Sequence, residues 1–131
     1  MNENIFKFVK YAYIFSLIAT LIIYLFPGSI IGYFLYGDFG KQPILVENPI
    51  GNSINHFICF AYLTFLSLIY NYKNKIFIFN IYFLFSISII FEFLHIFIPN
   101  RAFEIYDLIA NVLGVIIILI LQKILKWPKL S

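Results

Sequence analysis

His56, Glu92, His95, Arg101, Asp107 and Asn111 carry most of the chemistry open to this chain. Imidazoles and carboxylates exchange protons, a guanidinium clamps anions, and an amide orients its neighbours. All six lie in or beside long apolar runs. There a polar group is expensive, roughly 2.5–3.5 kcal/mol for an Asp at the centre of a membrane helix. Their spacing places them on helix faces. Ser88, Glu92 and His95 fall at i, i+4 and i+7, and Asn52, His56 and Cys59 follow the same pattern. Glu104, Asp107, Asn111 and Gly114 fall at i, i+3, i+7 and i+10. Residues so spaced share one face of a helix. The three stripes are expected to turn toward one another, with Gly114 allowing close approach of its helix to a neighbour.

Several chemistries fit these residue types. Two His and two carboxylates suit zinc as ligands, but no dense motif such as H-E-x-x-H is present, and neither a metal nor a cofactor is expected. Ser53 and Ser88 are the nearby hydroxyls, and no nucleophile elbow surrounds them. Walker, dinucleotide and nucleic-acid signatures are absent. The bland alternative is that His56, Glu92 and Asn111 simply hydrogen-bond helices together. Against it stands their convergence on one end of three separate helices. Cys59 is the only cysteine, so no intrachain disulfide forms.

The elements that position these residues follow from composition. Of 131 residues, 63% are hydrophobic and 11% charged, with mean hydropathy +0.94. Soluble domains are roughly 45–50% apolar and about 25% charged, and a chain this short cannot bury such an excess of apolar surface in itself. The expected fold is an all-α membrane protein, a single domain over 1–131 with a four-helix transmembrane bundle. Its spans are expected at 8–26, 53–70, 76–98 and 103–121, each long enough to cross about 30 Å of hydrocarbon. Open strands would leave their amides unpaired in lipid, so these runs are read as helices. The first resembles a signal peptide, but no small-x-small cleavage pattern follows it, and it is expected to be retained.

The connection from Pro27 to Asn52 is apolar around Ile30, Ile31, Tyr33, Phe34, Leu35 and Tyr36, flanked by Gly32 and Gly37 and punctuated later by Pro43 and Pro49. A short helix or re-entrant element lying in the membrane interface is expected there. Charge sets the orientation. Lys7, Lys10, Lys73, Lys75, Lys123, Lys126 and Lys129 share one side, against Lys41 and Arg101 on the other. The positive-inside rule then places both termini in the cytoplasm and the polar residues in the outer leaflet of the cell membrane. Trp127, after the last apolar run, suits the interface.

At these residues the sequence resembles the VanZ-like family of small bacterial membrane proteins. In that family Asp-Lys-x-x-His opens one helix, and a later helix ends in Glu-x-x-Gln followed by Pro-Gly-Arg. Asp-x-x-x-Asn-x-x-Gly comes next. Here stand Asn52-Ser53-Ile54-Asn55-His56, then Glu92-x-x-His95, Pro99-Asn100-Arg101 and Asp107-x-x-x-Asn111-x-x-Gly114. The resemblance covers about residues 52–121. Asn52 and Ser53 replace the family's Asp-Lys pair, His95 its Gln, and Asn100 its Gly. The Gln in relatives argues against an ancestral metal site, since Gln is a poor zinc ligand.

The resemblance implies a bacterial envelope protein from a family named for low-level glycopeptide resistance, notably to teicoplanin. His56, Glu92, His95, Arg101, Asp107, Asn111 and Gly114 are the expected functional residues. The expected partner is a membrane lipid or lipid-linked envelope intermediate, with Arg101 on its phosphate; no nucleic acid is expected. The competing readings are an enzyme using Glu92 or His56 as general base and a structural or partner-binding membrane module.

Overall fold

The computed structural model describes residues 3–42, 53–71 and 76–125. The Lys73–Lys75 turn, Pro43, Pro49, Asn52 and Trp127 lie outside the described residues. The described part is helical and contains no strand. It holds α1 (Glu3–Leu25), α2 (Ile30–Tyr36), α3 (Ser53–Asn71), α4 (Ile81–Leu94) and α5 (Ile105–Ile124). Three of these, α1, α3 and α5, are long and apolar enough to cross a membrane, and α4 with its extension to Phe97 is a shorter apolar helix. The chain is an all-α membrane protein.

Boundaries shift from the sequence expectation at three places. α1 begins at Glu3 rather than Phe8, so Lys7 and Lys10 ride within the helix as exposed or half-buried side chains. α5 runs from Ile105 to Ile124 rather than from Phe103 to Leu121. The third apolar run is not one helix over 76–98. It opens with a 3-10 turn, Phe77–Phe79, and α4 starts afresh after Asn80. The Asn80 side chain accepts from the Tyr82 amide at 2.9 Å while its own backbone is extended. An asparagine competes with the helix ladder in this way and becomes its cap. After Leu94 the helix tightens into a second 3-10 turn, His95–Phe97.

The break at Asn80 is held from both sides. Phe79 is buried between Tyr13 of α1 and Tyr70 of α3, with ring centroids at 4.4 and 4.1 Å. The Tyr13 hydroxyl donates to the Ile78 carbonyl at 2.5 Å, and Ser67 donates to the Phe79 carbonyl at 2.6 Å. These bonds satisfy backbone groups that the interrupted helix leaves open. Phe6, Val9, Leu63, Leu66 and Leu84 complete an apolar core at this end.

The expected short helix between the first two long ones is present as α2. Ser29 caps it, accepting from Gly32 N at 2.9 Å, and Gly37 ends it with φ +69°. It packs so closely on its own return loop that a Cβ on Gly32 would lie 1.7 Å from the Lys41 carbonyl oxygen. Tyr33 stacks on Phe39 at 4.2 Å. Phe34, Leu35 and Tyr36 remain exposed.

The long helices α1, α4 and α5 all pack on α3. Gly114 makes the closest approach: a Cβ there would sit 2.5 Å from the Phe57 carbonyl oxygen and 2.9 Å from the Ala61 nitrogen. Backbone contact at this level brings the start of α5 against the start of α3, and α4 ends beside them. That juxtaposition builds the polar site.

Candidate functional site: a buried polar cluster

His56, Glu92, His95, Asp107 and Asn111 are all buried and gathered at one end of the bundle, with Arg101 at its rim. Glu92 and Asn111 have no exposed surface at all. Ser53, the first residue of α3, is also inside, where the family pattern has a lysine, and donates to Asp107 Oδ1 at 2.5 Å. Gly114 lies outside the cluster and acts by setting the α3–α5 distance. Glu104 departs from its expected stripe. It is the non-helical residue before α5, its side chain is exposed, and its backbone N–H bonds Glu92.

Glu92 is the hub. Its Oε1 accepts from the Glu104 amide at 3.0 Å and pairs with His95 Nδ1 at 3.3 Å. His95 Nε2 donates to the Tyr24 carbonyl at 3.0 Å, satisfying one of the open carbonyls at the end of α1. His95 therefore braces Glu92 from behind and joins α4 to α1. Glu92 Oε2 is fully buried and has no hydrogen-bond partner, and His56 Nδ1 lies 3.9 Å from it.

Tyr24 is the member that residue spacing did not reveal. It sits in the last turn of α1, and its hydroxyl donates to Asn111 Oδ1 at 2.9 Å and lies 3.0 Å from His56 Nδ1. Its ring is stacked on His95 and tilted against His56. With ten tyrosines in the chain, residue type gave no signal. The signal available was depth, since Tyr24 stands just before the Pro27-Gly28 break, level with the other polar residues.

The donor order around Tyr24 fixes a tautomer. Asn111 Nδ2 donates to the Ser88 carbonyl at 3.2 Å, which orients the amide with Oδ1 toward Tyr24. The Tyr24 proton goes to that Oδ1, so the phenolic oxygen is left to accept from His56 Nδ1. The other ring nitrogen, Nε2, faces Asp107 Oδ2 at 3.4 Å.

Arg101 reaches across to the end of α1. Its Nε donates to the Phe26 carbonyl at 3.2 Å and its Nη2 to the Ile23 carbonyl at 2.7 Å. A cation on the unsatisfied carbonyls of a helix C-terminus is stabilising. Partial burial draws its pKa below the usual value, opposed by neighbouring Tyr24, Glu92 and Asp107; a guanidinium stays cationic regardless. Among the described residues, no hydrogen bond engages its other N–H groups. Asn100, where the family pattern has glycine, adopts φ +59°. Asparagine tolerates this left-handed conformation better than most residues, and it lets the Arg101 amide turn back to the Ile98 carbonyl at 3.2 Å.

Two cavities meet at Arg101 and His95. One, of about 270 Å³, is mainly apolar and runs between Thr20, Ile23, Ile31, Leu35 and Cys59, with His56 at its wall. The other, of about 260 Å³, is polar and is bounded by Asn100, Ala102, Glu104 and Asp107. Gln42 borders both.

Apolar helices on the outside and a buried, hydrogen-bonded acid–imidazole cluster within define a helical membrane protein with a polar site inside its bundle. The family model VanZ/LLP1 matches residues 4–126, and the chain belongs to that family. No curated protein and no solved structure matches it.

Proposed function

We propose that this protein binds an amphiphile with an anionic headgroup, a phospholipid or a lipid-linked envelope intermediate, at the outer face of the bacterial cell membrane. The observation that supports the reading is the pair of adjoining cavities. The apolar one suits an acyl or isoprenoid segment and the polar one a headgroup, and the only arginine lies where they meet. A guanidinium already fixed by two backbone carbonyls is pre-organised, so few of its rotamers remain to be lost on binding. Charge-assisted contact with a phosphate would use its remaining donors.

Membrane protein transferred from nanodiscs of mixed phosphatidylglycerol and phosphatidylcholine into native mass spectrometry is expected to retain the anionic lipid preferentially. Arg101→Gln should abolish the preference at unchanged helical content. Arg101→Lys keeps the charge but loses the fork that spans two carbonyls; it should weaken retention several-fold and lower thermal stability as well. Equal retention of both lipids by the wild-type chain would sink the reading.

The orientation belongs to the same proposal and rests on the lysine bias. In a Cys59→Ala background, a cysteine at Ala102 should react with a membrane-impermeant maleimide from outside intact cells. One at Lys123 should react only after permeabilisation. The opposite pattern would place the site in the cytoplasmic leaflet.

An enzymatic reading is favoured by one feature, the position of His56 between two carboxylates. In that case His56 or Glu92 serves as general base, and Arg101 stabilises developing charge.

A further inference from the structure

We infer that His56, Glu92 and Asp107 form a site for one divalent transition-metal ion, with an open coordination position facing the polar cavity. One ligand atom from each residue lies within 4.8 Å of the other two, and all three residues are buried. The inference goes beyond the lipid reading and does not depend on it.

Each of the three side chains is anchored on one atom. His56 donates from Nδ1 to Tyr24, Asp107 accepts at Oδ1 from Ser53, and Glu92 accepts at Oε1 from the Glu104 amide. Metal-binding imidazoles characteristically donate their other N–H to an oxygen, and metal-binding carboxylates are likewise held by hydrogen bonds. What remains on each side chain is a ligating atom: the Nε2 lone pair, Oδ2 and Oε2.

Two observations point to a cation among those atoms. Glu92 Oε2 is fully buried without a hydrogen-bond partner, and a buried carboxylate oxygen in that condition is costly. His56, with Nδ1 directed to Tyr24, turns Nε2 toward a carboxylate oxygen 3.4 Å away. Two electron-rich atoms facing each other repel unless a positive species lies between them. A dication would offset the two carboxylate charges that face His56.

The donor set selects the ion class. One imidazole and two carboxylates suit zinc or manganese rather than copper(I), which prefers sulfur. At ligand bonds of about 2.0–2.2 Å, tetrahedral ligands stand about 3.4 Å apart. The His56–Asp107 separation already has this value, and one ligand atom of Glu92 lies within 4.8 Å of both. Three protein ligands with the fourth position open is the arrangement of catalytic zinc sites. Asp107 and Arg101 both border the polar cavity, the side from which water or an anionic ligand would reach that position. His95 is outside the trio, so the glutamine that the family pattern has at its position does not argue against the site.

The test uses the full-length chain in detergent, stripped with chelator, incubated with zinc or manganese chloride, desalted, and assayed by mass spectrometry of the metal. The wild type should retain one ion per chain, and Glu92→Gln and Asp107→Asn should lose most of it. Wild-type protein that retains neither ion would overturn the site, leaving a proton as the species between His56 and Asp107. Equal retention by both carboxylate variants would overturn it too. If those variants are not recovered folded, cobalt(II) bound to the wild type decides. Visible d–d bands of an oxygen–nitrogen site support the assignment, and a thiolate charge-transfer band would move the ion to Cys59 and refute it. Lipid retention measured on the same samples reports separately on the lipid proposal.

Discussion

Leucine in place of Gly114 should leave little folded protein, and alanine there should lower the unfolding midpoint by an amount equivalent to about 1–3 kcal/mol, the usual cost of overpacking. The new Cβ would meet the backbone of α3, not a movable side chain: Phe57 O at 2.5 Å and Ala61 N at 2.9 Å. No rotamer change relieves such a contact, so α5 must move away from α3. The polar site depends on that spacing. His56 reaches Asp107 at 3.4 Å and Asn111 at 3.2 Å across the same interface. Alanine should therefore reduce both stability and ligand retention, and leucine should remove both. Thermal unfolding in detergent, followed by circular dichroism, would check this. An unchanged midpoint for Gly114→Ala would mean that α3 and α5 do not meet as described.

Glu92 carries the second large effect, and its two substitutions should separate folding from function. Removing one partner of a buried charged pair typically costs about 3–5 kcal/mol. Glu92→Ala does that and more, since it leaves His95 Nδ1 and the Glu104 amide without their acceptor. It should be recovered in low yield with a clearly reduced melting temperature. Glu92→Gln keeps an acceptor for the Glu104 amide and nearly the same volume, so it should insert and fold close to normally. It should nevertheless fail in a complementation assay in the native host, because the negative charge beside His56 is gone. Full activity of Glu92→Gln at normal abundance would show that Glu92 is only a structural tie.

The contrast between these residues shows what spacing along the chain can and cannot specify. Apolar run length forces helices, because lipid offers the backbone no other partner. The depth of each polar residue along its run is also a one-dimensional quantity. It places His56, Glu92, His95, Asp107 and Asn111 at one end of the molecule. Periodicity then assigned Glu92 with Ser88 and His95, and Asp107 with Asn111 and Gly114, to common faces, and all of these are buried. The family pattern added the turn, where Asn100 takes the left-handed conformation expected of the glycine it replaces.

Periodicity describes a face only relative to its own helix axis, and it fails where the helix is not continuous. Asn80 interrupts the third run because a side-chain cap competes with the ladder there. Glu104 is exposed rather than buried with its stripe because it precedes the first helical turn of α5. The partner of each polar group is a question of how helices rotate and cross, which packing decides. Tyr24 entered the site for that reason, through an oxygen that reaches α3 and α5 together. Arg101 likewise proved to close the end of α1 through two carbonyls more than seventy residues away in the chain. The sequence alone determined which groups stand at which depth. Only the tertiary structure decided which atoms face each other, because the separation of His56 Nε2 from Asp107 Oδ2 is set by the close contact of α5 with α3 at Gly114 and not by any spacing along the chain.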